Sequence, residues 1–267
     1  AHRRRYVARY YGAAHADDIA ALFADYAACA PAYGAHEDDH AGEQFANHVA
    51  RAIVSQYMKN AAERAPQLLW ATDAPDLAGQ ATWYQALCAG AAERYKFYTR
   101  RCKKTVLSLQ EATSTRHAAE LLQDSLLLQA TVLAHCYRGA ALAASVVLTA
   151  LAGDYKRAFY LAGKARAEYK AGDAALRARE HGKWKGFYAN ECFAALKLSA
   201  QLLSGLMAYL RNLGDGPDFY KWQREFTYSA ADRNVVTLLL WENELTDDEM
   251  FAAMEARLDD STGNPLQ

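Results

Sequence analysis

Residues 121–151, LLQDSLLLQATVLAHCYRGAALAASVVLTAL, decide the fold class. Apolar side chains point in almost every direction around a helix of 3.6 residues per turn, which is typical of a helix buried on all sides. The helical spacing begins near residue 114 and continues toward residue 152, so we expect a long central helix that bends near Gly139. One narrow polar stripe remains, which is either a solvent-facing strip or the lining of a cleft: His117, Glu120, Asp124, Thr131, His135 and Arg138.

Helical periodicity dominates the flanking sequence as well. Within residues 76–102, spacings of three and four predict a core stripe of Tyr84, Cys88, Ala91, Tyr95, Tyr98 and Cys102. A helix over 190–212 carries a second apolar face, which predicts that it is sandwiched between neighbours. Thr246 and the acidic residues after it predict the cap of a last helix. The remaining helices are expected over 16–29, 41–63 and from 154 to about 176, and the run RNVVTLLLW at 233–241 indicates a short extended segment.

Together these segments predict an all-α protein, an antiparallel bundle of six or seven helices. We expect a single domain over 1–267, with an ordered bundle at about 16–258 and a loose tail at 259–267. The sequence has no glycine-rich phosphate loop and no alternation of strands and helices. The pattern therefore excludes a dinucleotide-binding fold and a (β/α)₈ barrel.

Composition and net charge limit the classes of partner that the chain is expected to bind. The chain has 267 residues, 52% of them hydrophobic, and 30 basic side chains balance 31 acidic ones for a net charge of −1. We therefore expect no nucleic-acid partner, and we interpret Arg3, Arg4 and Arg5 as a solvated terminus. Since no uninterrupted apolar run reaches about 18–20 residues, we expect a soluble chain with no membrane partner. The chain begins at Ala1 without a signal-like segment, so we expect a piece of a longer protein of unassigned compartment.

Reactive clusters are sparse. Five widely spaced cysteines without a CxxC pair predict buried free thiols. The run HEDDH at 36–40 matches H-E-x-x-H, in which His36 and His40 would hold zinc and Glu37 would activate water. It follows PAYGA and precedes AGE, a loop-like setting that disfavours the required helix. A di-metal carboxylate site needs Glu-x-x-His on two helices, and the pattern occurs once, at Glu37 and His40 of the same run, so such a site is disfavoured too. We expect no cofactor and no catalytic residue.

The run EHGKWKGFY at 180–188 holds the strongest candidate ligand site. Gly182 and Gly186 interrupt the helical pattern, which predicts a junction whose aromatic rings either cap the end of the bundle or face a ligand. Planar rings beside charged hydrogen-bonding groups suit sugars, because rings cover C–H faces while charges bind hydroxyl groups. The run DFYKWQREF at 218–226 repeats this composition. The candidate ligand-binding residues are Glu180, His181, Lys183, Trp184, Tyr188, Trp222 and Arg224.

The stretches REHGKWKGFYANE (179–191) and YLRNLGDGPDFYKWQREF (209–226), with QDSLLLQA and GDYKRAFYLAGKA before them, resemble the helical module of large multidomain glycoside hydrolases. The family is glycoside hydrolase family 115, the xylan α-glucuronidase-type enzymes, and the resemblance covers about 120–250. Those enzymes carry catalysis on a (β/α)₈ barrel, and their continuation after GKW is rich in methionine, unlike GFYANE here. The resemblance therefore implies an accessory module beside a catalytic domain, and no catalytic residue is carried over.

Three functions follow as expectations. The first is a non-catalytic helical module of a carbohydrate-active enzyme, which packs beside a catalytic domain of the same parent protein and contributes to a carbohydrate site or a homodimer interface. The second is a free-standing helical interaction or scaffold protein. The third, a minor alternative, is a zinc hydrolase through the HEDDH run.

Overall fold

The computed structural model describes residues 2–32, 43–111, 113–190, 194–214 and 246–256. The protein is an all-α helical bundle, as the periodicity predicted, and in the described residues no strand occurs. The α-helices in this part of the chain are α1 His2–Tyr11, α2 Ala16–Ala27, α3 Glu43–Asn60, α4 Leu77–Gln110, α5 Arg116–Leu122, α6 Leu128–Leu151, α7 Tyr155–Arg177, α8 Leu196–Gly214 and α9 Asp247–Glu255.

Two helical segments differ from the sequence expectation. The arginine run belongs to α1, where Arg4 pairs with Asp17 at 2.5 Å, while Val7 and Tyr11 are buried. The long central helix is present, but its irregularity is a π-helical turn over Gln123–Leu127 that joins α5 to α6. Helix α6 then continues through Gly139. The extended segment expected at 233–241 lies outside the described residues.

The central helical stretch Thr113–Leu151 is, by length and composition, apolar enough to span a bilayer, which the sequence expectation had not anticipated. Within the protein, 56% of its most apolar 18-residue window is buried. Burial of this kind is what a core helix shows when its neighbours cover it on several sides. Length and apolarity here therefore fit the central helix of a bundle.

The chain forms two compact units, each assembled from separate segments. The first consists of Ala1–His48, Ala86–Ala140 and Glu168–Lys197, and the second of Val49–Gln85, Ala141–Ala167 and Leu198–Gln267. The single domain expected over 1–267 stays a prediction.

Tyrosines hold the first unit together. Tyr26 of α2 meets the rings of Tyr95 and Tyr98 on α4 edge to face, at 5.9 and 5.7 Å between centroids. Tyr95 also stacks on Tyr137 of α6 at 5.5 Å with nearly parallel planes. Such pairs add about 0.5–1.5 kcal/mol each beyond the burial of their area. The tyrosine-rich stripe predicted on α4 is buried throughout, which confirms that part of the sequence analysis.

Helices α6 and α7 approach closely in the first unit because Gly139 lacks a side chain. A Cβ atom at this position would lie 3.0 Å from ring carbons of Tyr169, which is itself 1% exposed. Nearby, Glu168 accepts hydrogen bonds from His135 Nδ1 at 2.8 Å and pairs with Arg138 Nε at 3.0 Å. Two residues of the polar stripe, His135 and Arg138, are therefore paired with the neighbouring helix α7.

Helix α9 docks on α7 and α8 in the second unit. The predicted cap is confirmed: Thr246 Oγ1 accepts from the Glu249 backbone N–H at 3.2 Å, and the Glu249 carboxylate accepts from the Thr246 N–H at 2.8 Å. The ring of Phe251 lies against Gly163, and Arg211 pairs with Asp247 at 2.9 Å. The second apolar face predicted for α8 is covered only in part by the described residues, since the ring of Tyr209 meets Tyr57 while Leu198 is 53% exposed.

Candidate functional site

The candidate site follows the end of α7, where the chain cannot continue as an α-helix. Gly182 and Gly186 adopt φ of +52° and +77°, left-handed backbone conformations that residues other than glycine rarely adopt. Between and after them run two short 3₁₀ turns, Gly182–Trp184 and Phe187–Asn190. The predicted junction is confirmed, although the next helix begins at Leu196 rather than near residue 190.

Glu180 fixes the path of this junction. Its two carboxylate oxygens accept hydrogen bonds from the backbone N–H groups of Gly186 at 2.9 Å and Tyr188 at 2.8 Å. The side chain thereby replaces the hydrogen bonds that a continuous helix would have made. The expected ligand contact of Glu180 stays a prediction, and the geometry shows that the side chain holds the loop that carries the aromatic residues.

A cleft of about 270 Å³ opens between this junction and the start of the central helix. It brings together three predicted site residues, His181, Trp184 and Tyr188. Lys183 lies outside the lining, and its Nζ atom sits 5.1 Å from the centre of the Trp184 ring. The lining residues are Asp124, Leu128, Arg179, His181, Trp184, Phe187 and Tyr188.

The polar wall of the cleft is an ion pair. Arg179 donates to Asp124 Oδ1 at 2.6 Å, and His181 Nε2 lies 3.6 Å from the other oxygen, Oδ2. Asp124 is in the π-helical turn, a deformation that is frequent at functional sites. The sequence had placed Asp124 in the polar stripe, so the cleft interpretation of the stripe holds for this residue. Arg179 was missed because nothing local signals a partner 55 residues away.

The aromatic wall is exposed to solvent. Trp184 is 50% exposed and Phe187 is 62% exposed, so these rings do not cap the end of the bundle. The rings meet edge to face, Trp184 with Phe187 at 5.3 Å and Phe187 with Tyr188 at 5.1 Å. Phe187 was missed in the sequence because it fits an ordinary core position equally well. The wall thus presents ring surface to whatever enters the cleft.

Tyr188 contributes a stable hydrogen-bond donor. Burial, and then the nearby carboxylates of Asp124 and Glu180, raise the pKa of its hydroxyl group. A raised pKa keeps the phenol protonated well above neutral pH. The cleft therefore offers a hydroxyl donor, a guanidinium, a carboxylate and ring surface within one small volume.

Other candidate chemistry is not found with this cleft. Trp222, Arg224 and the HEDDH run with His36 and His40 lie outside the described residues. Across the part of the chain that the structure describes, no three His, Cys, Asp or Glu side chains are grouped to hold a metal ion. A second cavity of about 140 Å³, in the other unit, is lined mainly by apolar groups: Tyr155, Lys156, Phe159, Leu210, Arg211, Met250 and Met254.

Comparison with protein-family models, with curated proteins and with solved structures gave no match to this chain.

Proposed function

We propose that this chain is a non-catalytic helical module of a carbohydrate-active enzyme, and that the cleft binds a short saccharide. The half-exposed ring of Trp184 beside the Asp124–Arg179 ion pair is the observation that carries the proposal. A cleft of about 270 Å³ also suits one or two sugar rings better than a large cofactor.

Saccharides have two kinds of surface, and the cleft matches both. The C–H face of a sugar ring is apolar and gains by covering an exposed indole. Each hydroxyl group both donates and accepts hydrogen bonds. The Asp124 carboxylate can accept from it, and the Arg179 guanidinium can donate to it. Because Glu180 fixes the loop, little ordering of Trp184 and Tyr188 is required when the ligand binds.

Binding is favoured over glycoside hydrolysis because the carboxylates of the site are already engaged. Hydrolysis of this kind uses one carboxylic acid as proton donor and a second carboxylate as base or nucleophile. Asp124 is held by Arg179, and both oxygens of Glu180 accept loop amides. In the proposed role, catalysis belongs to another domain of the parent protein, as the resemblance to family 115 enzymes implies.

A free-standing helical interaction protein is the second candidate. It is favoured by Leu198 and Leu213, which leave an apolar side of α8 exposed at 53% and 38%. Exposed apolar surface of this kind is typical of a docking face. The reading frame around Ala1 distinguishes the two, because a catalytic barrel encoded in the same frame supports the enzyme module, and a start codon just before Ala1 supports the interaction protein.

Calorimetric titration with a panel of short saccharides tests the binding proposal. We expect binding by the wild-type chain and a loss of about tenfold or more for Trp184→Ala, which removes the stacking surface. Trp70→Ala is the matched control, since Trp70 is 53% exposed and lies outside the cleft. Equal losses in both variants, or no binding by the wild type, would contradict the proposal.

A further inference from the structure

The Asp124–Arg179 pair sets the charge that a ligand meets in the cleft. Both side chains line the cavity and both keep solvent contact, at 37% exposure for Asp124 and 26% for Arg179. Their opposite charges are in direct contact at 2.6 Å. The pair has no net charge, but a ligand in contact with it still meets one charge of each sign, because the two fields cancel only at distances well beyond their separation.

The junction that carries the aromatic wall holds charges of both signs, with Lys183 and Lys185 as its lysines and Glu180 as its carboxylate. Lys183 and Glu180 flank the cleft with one charge of each sign, the first over the Trp184 ring and the second bound to loop amides. The other basic side chain in the lining is His181, whose Nε2 lies 3.6 Å from Asp124 Oδ2. Among the described lining residues, Arg179 is therefore paired with Asp124, and His181 lies beside the same carboxylate.

Resting on the proposed function, we infer that the cleft selects neutral saccharides over acidic ones, and that the Asp124–Arg179 pair determines this selectivity. Arg179 directs both Nε and a terminal nitrogen at the same oxygen, Oδ1. This leaves further N–H donors on the guanidinium and lone pairs on Oδ2. Neighbouring donors and acceptors suit a pair of sugar hydroxyl groups.

An acidic sugar meets the opposite situation. A carboxylate only accepts hydrogen bonds, so it can use the Arg179 donors but not Asp124. It must also approach the like charge of Asp124, with which it competes for the same guanidinium. A neutral sugar of the same shape avoids this repulsion and therefore binds better.

The test uses methyl glycosides in matched pairs that differ only by oxidation of C6: glucoside and glucuronide, galactoside and galacturonide, mannoside and mannuronide. Titrations are read by calorimetry or NMR at a salt concentration of about 0.15 M, where distant charges are screened. For the wild-type chain we expect the neutral member of the binding pair to bind about tenfold more tightly. Asp124→Asn leaves the Arg179 charge uncompensated, so the ratio should move toward the acidic member by about tenfold or more.

Two further variants keep the interpretation clear. Asp173→Asn makes the same charge change on α7, where Asp173 pairs with Arg177 at 2.8 Å outside the cleft lining, and it should leave the ratio unchanged. Arg179→Gln should weaken the acidic member further, because the Asp124 charge is then uncompensated.

The possible outcomes separate the two proposals. If no saccharide binds the wild-type chain, the proposed function is wrong and the inferred selectivity falls with it. If the wild type prefers the acidic member, or if Asp124→Asn moves the ratio no more than Asp173→Asn does, the inferred selectivity is wrong while saccharide binding stands.

Discussion

At the scale of single residues, Glu180 holds the aromatic wall through two backbone amides. We expect Glu180→Ala to speed amide hydrogen exchange at Gly186 and Tyr188 by about fivefold, since each lost bond costs about 1 kcal/mol. Saccharide affinity should fall as well, because Trp184 and Tyr188 are no longer held in place. Exchange measured by NMR checks this, with Glu93→Ala, an exposed carboxylate on α4, as the control. Unchanged exchange at both amides would remove Glu180 from this role.

A second prediction at this scale concerns the reactivity of the buried cysteines. Burial raises the pKa of the Cys102 thiol to about 11 and also raises the pKa of Cys29. The thiolate is the reactive form of cysteine. An unperturbed thiol has a pKa of about 8.5, so a raised pKa leaves little thiolate at about pH 8. In a Cys192→Ser variant we expect no prompt labelling of the four described cysteines in the native protein, and full labelling in concentrated guanidinium chloride. Prompt labelling of the native protein would contradict it.

At the scale of elements, the contact between α6 and α7 depends on Gly139. We expect Gly139→Ala to lower the free energy of unfolding by about 1–2 kcal/mol, because overpacking against Tyr169 outweighs the gain in helix propensity. Gly205→Ala on α8 is the matched control, since among the described residues no atom outside the neighbouring helix backbone lies within 4 Å of its added Cβ. It should raise the free energy of unfolding by about 0.5–1 kcal/mol. Denaturant titration measures the free energy of unfolding of both variants. If the two substitutions changed it in the same direction, the role of Gly139 in the α6–α7 contact would be contradicted.

The elements also show how far sequence reasoning reaches. Helical periodicity predicted the buried stripe of α4, and the Thr246 cap was predicted because capping is a local property. Helix α1 was missed because only Val7 and Tyr11 are buried among its arginines. The exposed side of α8 was expected to be covered. An apolar helix face shows which side chains could be buried, but it does not show whether another element packs against them.

At the scale of the whole molecule, the candidate site was half predicted. His181, Trp184 and Tyr188 were proposed from composition, and their loop and its glycines follow from local signals. Asp124 and Arg179 complete the cleft through a contact between two helical segments distant in sequence. Such a contact depends on how helices pack, which periodicity alone does not encode. The polar stripe had named Asp124 as a possible cleft residue, but its pairing with Arg179 could be described only from the structure.

The most direct test of saccharide binding at this cleft is the indole N–H resonance of Trp184 during a titration. The resonance is assigned by its loss in Trp184→Ala, and that of Trp70 serves as an internal reference in the same spectrum. We predict a saturable shift of the Trp184 resonance, together with the Gly186 and Tyr188 amides, while the Trp70 resonance stays in place. A titration across the saccharide panel that leaves the Trp184 resonance unmoved, or shifts Trp70 equally, would contradict the account.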